Sequence, residues 1–306
     1  MKNCNPAGEQ RLRAQVIAAH GRHFRVLTAE GTSLLARPLG RHLQVVCGDG
    51  VLCLHNAQHD ELHIVAVEPR RTALYRSDAR GRDELLAANL SMLLIVLAAV
   101  PEPDLFIVDR YLCAAASAGL DAVLITNKCE LPLAEAVAAG LTEFSRLGYR
   151  CLQCSARTGA GLAELLALIS GQRVMLVGQS GVGKSSLLRA LVPDSTAAVG
   201  ELMRETEGRH TTTSTRSYSM PQGGELLDSP GVRDFAPAVA RLEAASLGFV
   251  EVASLAPHCR FADCRHMQEP DCALRAAVDG GDVSARRYES YRRLRRLYER
   301  LHDARR

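Results

Sequence analysis

Three successive patterns predict an α/β protein flanked by an all-β amino-terminal part and a helical carboxyl-terminal part. Residues 11–68 break into short β-like runs between Gly, Pro, Asn and Asp signals. From about Asp83 apolar runs alternate with stretches of helical period, as in a parallel sheet covered by helices on both faces. After about Pro237 the pattern is helical and encloses a dense group of cysteine and histidine. The expected division of the 306 residues is 1–70, 80–238 and 239–306.

In the first part the expected strands are Gln15–Ala19, Phe24–Leu27, Ser33–Ala36, Leu43–Val46, Val51–Leu54 and Leu62–Val67, spaced for a small antiparallel barrel or sandwich. In the second, Met92–Leu97 reads as a buried strand and Asp104–Ser117 as a helix. Ala122–Thr126 is a strand, Leu133–Leu147 and Gly161–Ser170 are helices, Arg173–Val177 is a strand, and a helix starts at Lys184. No internal repeat or low-complexity tract is present.

Composition narrows the class. With 47% hydrophobic and 23% charged residues, the chain is neither disordered, collagen-like nor a coiled coil. Its longest apolar run, Met92–Val100, ends at Pro101, well short of the about twenty residues that cross a bilayer. The first ten residues have no apolar core of a secretion signal. A cytoplasmic protein with no membrane contact is expected, its ten cysteines thiols or metal ligands rather than a disulfide framework. Net charge is only +3, but residues 283–306 hold nine arginines against Glu289, Glu299 and Asp303. Residues 1–50 are also basic. Basic ends on a near-neutral body point to a polyanion, nucleic acid first; a solvated basic helix is the alternative. Of 37 basic residues only Lys2, Lys128 and Lys184 are lysine, and two of these lie in the motifs that follow.

Gly178-Gln179-Ser180-Gly181-Val182-Gly183-Lys184-Ser185 matches G-x-x-x-x-G-K-[ST] in full, between an expected strand and an expected helix, with Ser186 following. Its glycines let successive N–H groups converge on phosphate, and the helix amino terminus adds partial positive charge. Lys184 reaches the β- and γ-phosphates as a point charge, where a planar guanidinium has the wrong shape. The Ser185 hydroxyl can ligate Mg²⁺. Downstream, Asp228-Ser229-Pro230-Gly231 follows the strand Glu225–Leu227. An aspartate there holds Mg²⁺ directly or through water, and the Gly231 N–H can meet the γ-phosphate.

Asn127-Lys128-Cys129-Glu130, just past a strand, resembles the guanine-recognition sequence Asn-Lys-x-Asp of GTPases. An acid there accepts guanine N1–H and the exocyclic amine, which adenine cannot offer. Here the acid is glutamate, one methylene longer. Lys128 is expected to lie across the nucleotide by its stem and ammonium. Ser155-Ala156-Arg157 resembles the second guanine loop, in which the Ala156 N–H meets the base oxygen. These motifs precede the phosphate loop, whereas most GTPases carry them last. The order is that of a circular permutation, which a sheet with adjacent termini tolerates.

The position directly after the tetrad, where many GTPases place a water-orienting glutamine, is Val232, which has no hydrogen-bonding group. Gly208–Thr213 lies where the first switch loop belongs. One of Thr211, Thr212 and Thr213 would complete the Mg²⁺ shell, and Thr212 is taken as that ligand. His210 can orient or deprotonate water because its imidazole titrates near neutrality; a surface loop histidine is the alternative.

Cys259-x₄-Cys264-x-His266-x₅-Cys272 supplies three thiolates and an imidazole, a Cys₃His set for one structural Zn²⁺, with His258 as a nearby competitor. Cys151 and Cys154 form a CxxC with no second pair and read as structural. Cys47, Cys53, Cys113 and Cys129 read as small apolar fillers.

Together these motifs resemble the small ribosomal subunit-dependent, circularly permuted GTPases of bacteria, over about residues 11–300 and in the same order of parts. The departure is Glu130, where the family has aspartate. The resemblance implies an amino-terminal OB-fold that binds RNA, a permuted GTPase domain and a carboxyl-terminal zinc domain. It also implies a monomer that binds GTP and GDP, acts on the 30S subunit and its 16S rRNA late in assembly, and hydrolyses GTP under stimulation by the subunit, with release coupled to hydrolysis. A P-loop ATPase and an RNA-binding module with a regulatory nucleotide site remain alternatives. A zinc oxidoreductase is excluded, since no Gly-x-Gly-x-x-Gly turn accompanies the cluster.

Overall fold

The computed structural model describes residues 10–40, 42–56, 61–77, 82–193, 215–228 and 237–303. Strands β1 (Gln10–His20), β2 (His23–Thr28), β3 (Ser33–Pro38), β4 (Gly50–Asn56) and β5 (Glu61–Val67) form where short apolar and β-branched runs alternate with polar positions. β1 pairs antiparallel with β2 and with β4, β2 with β3, and β4 with β5, while β3 and β5 run parallel. The order β1-β2-β3-β5-β4 therefore closes on β1 as the five-stranded barrel of an OB-fold. Period-two alternation turns Val16, Phe24, Val26, Ala36, Val51, Cys53, Leu62 and Ile64 into its core.

One expected strand does not form. Leu43–Val46 joins no ladder. The Val46 N–H donates to the Asp49 carboxylate at 2.9 Å. Arg70 donates to both Asp49 oxygens, at 2.7 and 2.9 Å, and to the Gln44 carbonyl at 2.7 Å. Side chains satisfy the backbone that a strand would have paired, while Val45 and Val46 still bury their apolar groups.

β6 (Ala73–Ser77) and β7 (Asp83–Ala88) form a separate antiparallel hairpin. The alternation expected from Asp83 thus begins only at β8 (Met92–Ala98). It continues through α1 (Leu105–Ser117), β9 (Asp121–Asn127), α2 (Glu135–Arg146), β10 (Arg150–Gln153), α3 (Leu162–Ile169), β11 (Arg173–Val177), α4 (Lys184–Leu191), β12 (Arg216–Ser219) and β13 (Glu225–Asp228). The sheet order is β10-β9-β8-β11-β13-β12, parallel except at β12. β8 is buried along its whole length on both faces. Leu93, Ile95 and Leu97 pack with Leu112, Leu141 and Phe144 of α1 and α2, and Leu94 and Val96 pack with Leu165, Ile169 and Leu187 of α3 and α4. This is why the strand is apolar throughout rather than alternating.

β12 also bridges to β1 through Ala18 and Arg216, joining barrel to sheet. The Glu225 carboxylate reinforces the joint. It accepts from Gln15 Nε2 at 2.6 and 2.7 Å, Arg173 Nε at 2.7 Å and Ser217 Oγ at 3.1 Å.

Beyond residue 237 the chain forms a 3₁₀ turn (Val239–Arg241), α5 (Val250–Leu255), a second 3₁₀ turn (Ala256–His258), α6 (Ala273–Asp279) and α7 (Ala285–Asp303). Leu247, Phe249, Val252, Leu274, Tyr291 and Leu294 share one core with Cys113 of α1. Here Arg287 and Arg295 of the basic carboxyl-terminal run depart from the expected solvent- or RNA-facing role. Arg287 is 1% exposed and lies 2.6 Å from Asp109 of α1 and 2.7 and 2.8 Å from Glu251 of α5. Arg286 joins Asp109 to Glu143, each at 2.8 Å. Arg295 is also buried. These arginines face inward because apolar residues of α7 draw the same helix face onto α1 and α5, and each carries its charge to a carboxylate or a carbonyl. Arg287→Met would leave two buried carboxylates without their shared cation, so it should cost about 3–5 kcal/mol. Arg293→Met on the exposed face should stay within about 0.5 kcal/mol. Urea unfolding of the two variants checks the contrast.

Candidate functional site

Parallel pairing brings the motif-bearing loops to one edge. Ala98 is in register with Asn127, Gln153 with Thr126, Val177 with Ile95, and Met175 with Leu227. The carboxyl ends of β10, β9, β8, β11 and β13 therefore open onto the same side, the usual ligand side of an open α/β sheet. They deliver Ser155–Arg157, Asn127–Glu130, the segment from Val100 to Phe106, the phosphate loop and Asp228, respectively.

The phosphate loop runs from β11 into α4. Gly178 (φ 143°) and Gly183 (φ 96°) hold conformations that suit glycine. A Cβ on Gly178 would strike the Val96 carbonyl, and one on Gly183 the Asn127 amide. Lys184 Nζ donates to the carbonyls of Gly178 (2.6 Å) and Gln179 (2.8 Å), so the ammonium lies over the loop. Ser180 and Gly181 are exposed at the loop's crest, Val182 is buried beneath it, and Ser185 and Ser186 are exposed in the first turn of α4.

Asn127 ties three loops together. It is 2% exposed; its Nδ2 donates to the Val182 carbonyl at 2.9 Å, and its Oδ1 accepts the Ala156 N–H at 3.1 Å. Lys128, in the left-handed region, donates through Nζ to the carbonyls of Val100 (2.6 Å) and Gly181 (2.8 Å). The expected lysine across the nucleotide is thus also a clamp between the phosphate loop and the chain after β8. Cys129 is half-buried, and its N–H donates to the Cys154 carbonyl at 3.1 Å. Ser155 is fully buried, and its Oγ accepts the Thr158 N–H at 3.1 Å. Glu130 accepts from Arg157 Nε at 3.0 Å. A hydrogen bond from Ser155, backbone N–H donation and Arg157 hold the Glu130 carboxyl below its usual range.

Three contacts went unread in the sequence. The Asp104 N–H donates to Gln179 Oε1 at 3.2 Å, and the Asp104 side chain caps α1 by accepting the Phe106 N–H at 2.9 Å. The only sequence signal was an aspartate immediately before an apolar helical run. The Val100 carbonyl left no signal, because a backbone acceptor is independent of residue type.

Ser185 and Asp228 leave neighbouring parallel strands on the same side, an all-oxygen pair that suits a hard cation such as Mg²⁺. His210, Thr211, Thr212, Thr213, Gly231 and Val232 lie outside the described residues.

Cys259, Cys264, His266 and Cys272 converge, their ligand atoms all within 4.8 Å of one another. Cys259 Sγ and Cys272 Sγ each lie 3.4 Å from His266 Nδ1 and 4.0 Å from one another. A tetrahedral zinc with Zn–S of about 2.3 Å and Zn–N of about 2.0 Å sets these edges at about 3.5 and 3.8 Å. The donor set and spacing fit Zn²⁺. Four protein ligands would leave no open position on such an ion. His258 stands outside it. The ligand loop is anchored to α7: Tyr288 Oη donates to the His266 carbonyl at 2.8 Å and Tyr291 Oη to the Arg265 carbonyl at 2.9 Å. The Glu269 carboxylate accepts the N–H groups of Arg265, Met267 and Gln268 at 2.8–3.0 Å.

The profile of the RsgA GTPase family matches residues 67–237. A small ribosomal subunit biogenesis GTPase RsgA of Azotobacter vinelandii is 44% identical over 285 residues, 89% of this chain and 82% of the relative. That of Saccharophagus degradans is 38% identical over 295 residues, 91% of this chain and 85% of the relative. The crystal structure of YjeQ from Thermotoga maritima superposes with a TM-score of 0.71 at 27% identity, covering 94% of this chain and 98% of that one. YloQ, a circularly permuted GTPase, gives a TM-score of 0.70 at 20% identity, covering 95% and 96%, a likeness of fold.

Asn127→Ala strands a buried carbonyl and a half-buried N–H, and should cost about 1–3 kcal/mol in urea unfolding. The intact chain should hold about one zinc, and Cys272→Ser should lose it, as metal analysis of the purified proteins would read.

Proposed function

As the chain belongs to the RsgA GTPase family, we propose that its GTP hydrolysis serves late assembly of the small ribosomal subunit, that the subunit stimulates it, and that hydrolysis releases the protein. The observation that carries this reading is the stitching of Asn127 to both the phosphate loop and the Ala156 loop. That contact makes the permuted motifs one guanine-nucleotide site.

The loop amides and the amino terminus of α4 bind the phosphates, with Lys184 turning from loop carbonyls to the β- and γ-oxygens. Glu130 accepts guanine N1–H and its amine, and the Ala156 N–H, which donates to Asn127 Oδ1 in this structure, is shared with the base oxygen. Ser185, Thr212 and Asp228 would hold Mg²⁺, which neutralises charge on the β- and γ-phosphates when bound. Gly231 donates its N–H to the γ-phosphate. With valine at 232, His210 orients the attacking water.

The three parts divide the work: residues 1–70 contact 16S rRNA, 80–238 bind and hydrolyse GTP, and 239–306 respond to the nucleotide state. A path for that response runs from Gln179 to Asp104, along α1, to Asp109 and the arginines of α7. The exposed Arg293 and Arg296 remain for phosphate contact, while Arg287 does not.

Purified 30S subunits should raise GTP turnover by about tenfold or more, and absence of stimulation would sink the proposal. Lys184→Ala should lower that turnover by about 10²-fold. Binding to the subunit should weaken steeply with salt in a titration. A His210→Ala protein with normal nucleotide affinity should turn over at least about tenfold more slowly; unchanged turnover removes His210 from the chemistry.

A further inference from the structure

The glutamate at 130 raises a physical problem. A longer acid carries one more rotatable bond, so its carboxylate starts less well aimed at a base edge than an aspartate's. The structure shows what restrains it. Arg157, two residues past Ser155 on the neighbouring loop, donates through Nε to Glu130 Oε1 at 3.0 Å. Ser155, on the same loop as Arg157, also helps to hold that carboxyl below its usual range. Ser155 is itself fully buried and held by the Thr158 N–H, so it is a fixed point.

An ionised carboxylate offers about four acceptor directions. The Arg157 bond uses one of them, at Oε1. Guanine N1–H and its exocyclic amine require two others. The Arg157 side chain is 75% exposed, and an ion pair at such a rim contributes little to folding. Its consequence is aim rather than stability: a side chain already held in one rotamer loses less freedom when a base docks.

We propose that Arg157 is a positioning residue that sets guanine specificity by fixing the longer Glu130 carboxylate through its Nε–Oε1 bond. This rests on the guanine-nucleotide reading of the site. Arg157 does not touch the base. It substitutes for the shorter reach of an aspartate, so Glu130 and Arg157 form one functional unit.

The test measures equilibrium binding of fluorescent GDP, with IDP and ADP as competitors, to the full-length chain and to Arg157→Met, Arg157→Lys, Glu130→Asp and Glu130→Asp/Arg157→Met. IDP lacks the exocyclic amine and reports that single contact. Arg157→Met should weaken GDP by roughly five- to tenfold, narrow the GDP-to-IDP preference and leave the melting temperature unchanged, with Arg157→Lys restoring part of both. In the Glu130→Asp background the same change should move GDP affinity by less than about twofold, because the shorter acid does not reach Arg157. Arg157→Met that leaves GDP affinity and the GDP-to-IDP ratio of the Glu130 chain intact overturns the proposal, as does an equal effect in both backgrounds. An unaltered chain that binds ADP as tightly as GDP overturns the guanine reading itself, a result distinct from either.

Discussion

Parallel pairing of β8 through β11 and β13 is the constraint on which the rest of this protein depends. Parallel strands must leave a sheet on the same side, and a crossover helix must carry the chain back between them. Asn127 and Val182 lie far apart in sequence, yet β9 and β11 both flank β8 and end on the same side of the sheet, which puts one against the other. Cutting the chain at a different loop would not change which strand ends are neighbours. A permuted order of motifs is therefore compatible with an unpermuted site, and the Asn127 bond to the Val182 carbonyl is its local expression.

The same loops that meet at this edge are held from below by packing and from the side by charge. β8 supplies the packing, since both of its faces are buried. The charge is the group Asp109, Arg286, Arg287, Glu143 and Glu251, which spans α1, α2, α5 and α7. Burying such ions costs desolvation that an apolar substitute would avoid. What the ions add is a fixed register of α7 on α1, because a guanidinium fork accepts few geometries. Phe249, 4.5 Å beneath the Arg287 guanidinium, narrows them further. The Cys₃His loop, hung from Tyr288 and Tyr291 on the same helix, inherits that register.

Legibility in the sequence followed the range of the interaction. Arg173–Val177 and the start of α4 were read correctly because a phosphate loop has fixed types at fixed spacing. The helices 105–117 and 135–146 were read to within two residues because the 3.6-residue period is local. Leu43–Val46 was misread because its apolar run resembles a strand, and nothing nearby in sequence announced that Arg70 and Asp49 would occupy its backbone. The β6–β7 hairpin was missed because its pairing lies outside both main patterns. At the site, Asn127, Lys128 and the phosphate loop were legible as types in order. The second set of bonds made by Lys128, to Val100 and Gly181, was not.

By itself the sequence determined the chemistry available: a phosphate loop, an Asn-Lys-x-Glu, a late aspartate, three cysteines and a histidine at ligand spacing. These are properties of residue type and short spacing, which folding does not alter. Only the tertiary structure decided which arginines are surface and which are core. Charge composition marked residues 283–306 as one net-basic run, yet Arg287 is buried and Arg293 is not. Burial depends on which carboxylates other elements bring within hydrogen-bonding distance, here Asp109 from α1 and Glu251 from α5. The same reason governs Glu130, whose restraint comes from Arg157 on a neighbouring loop that only strand pairing brings alongside.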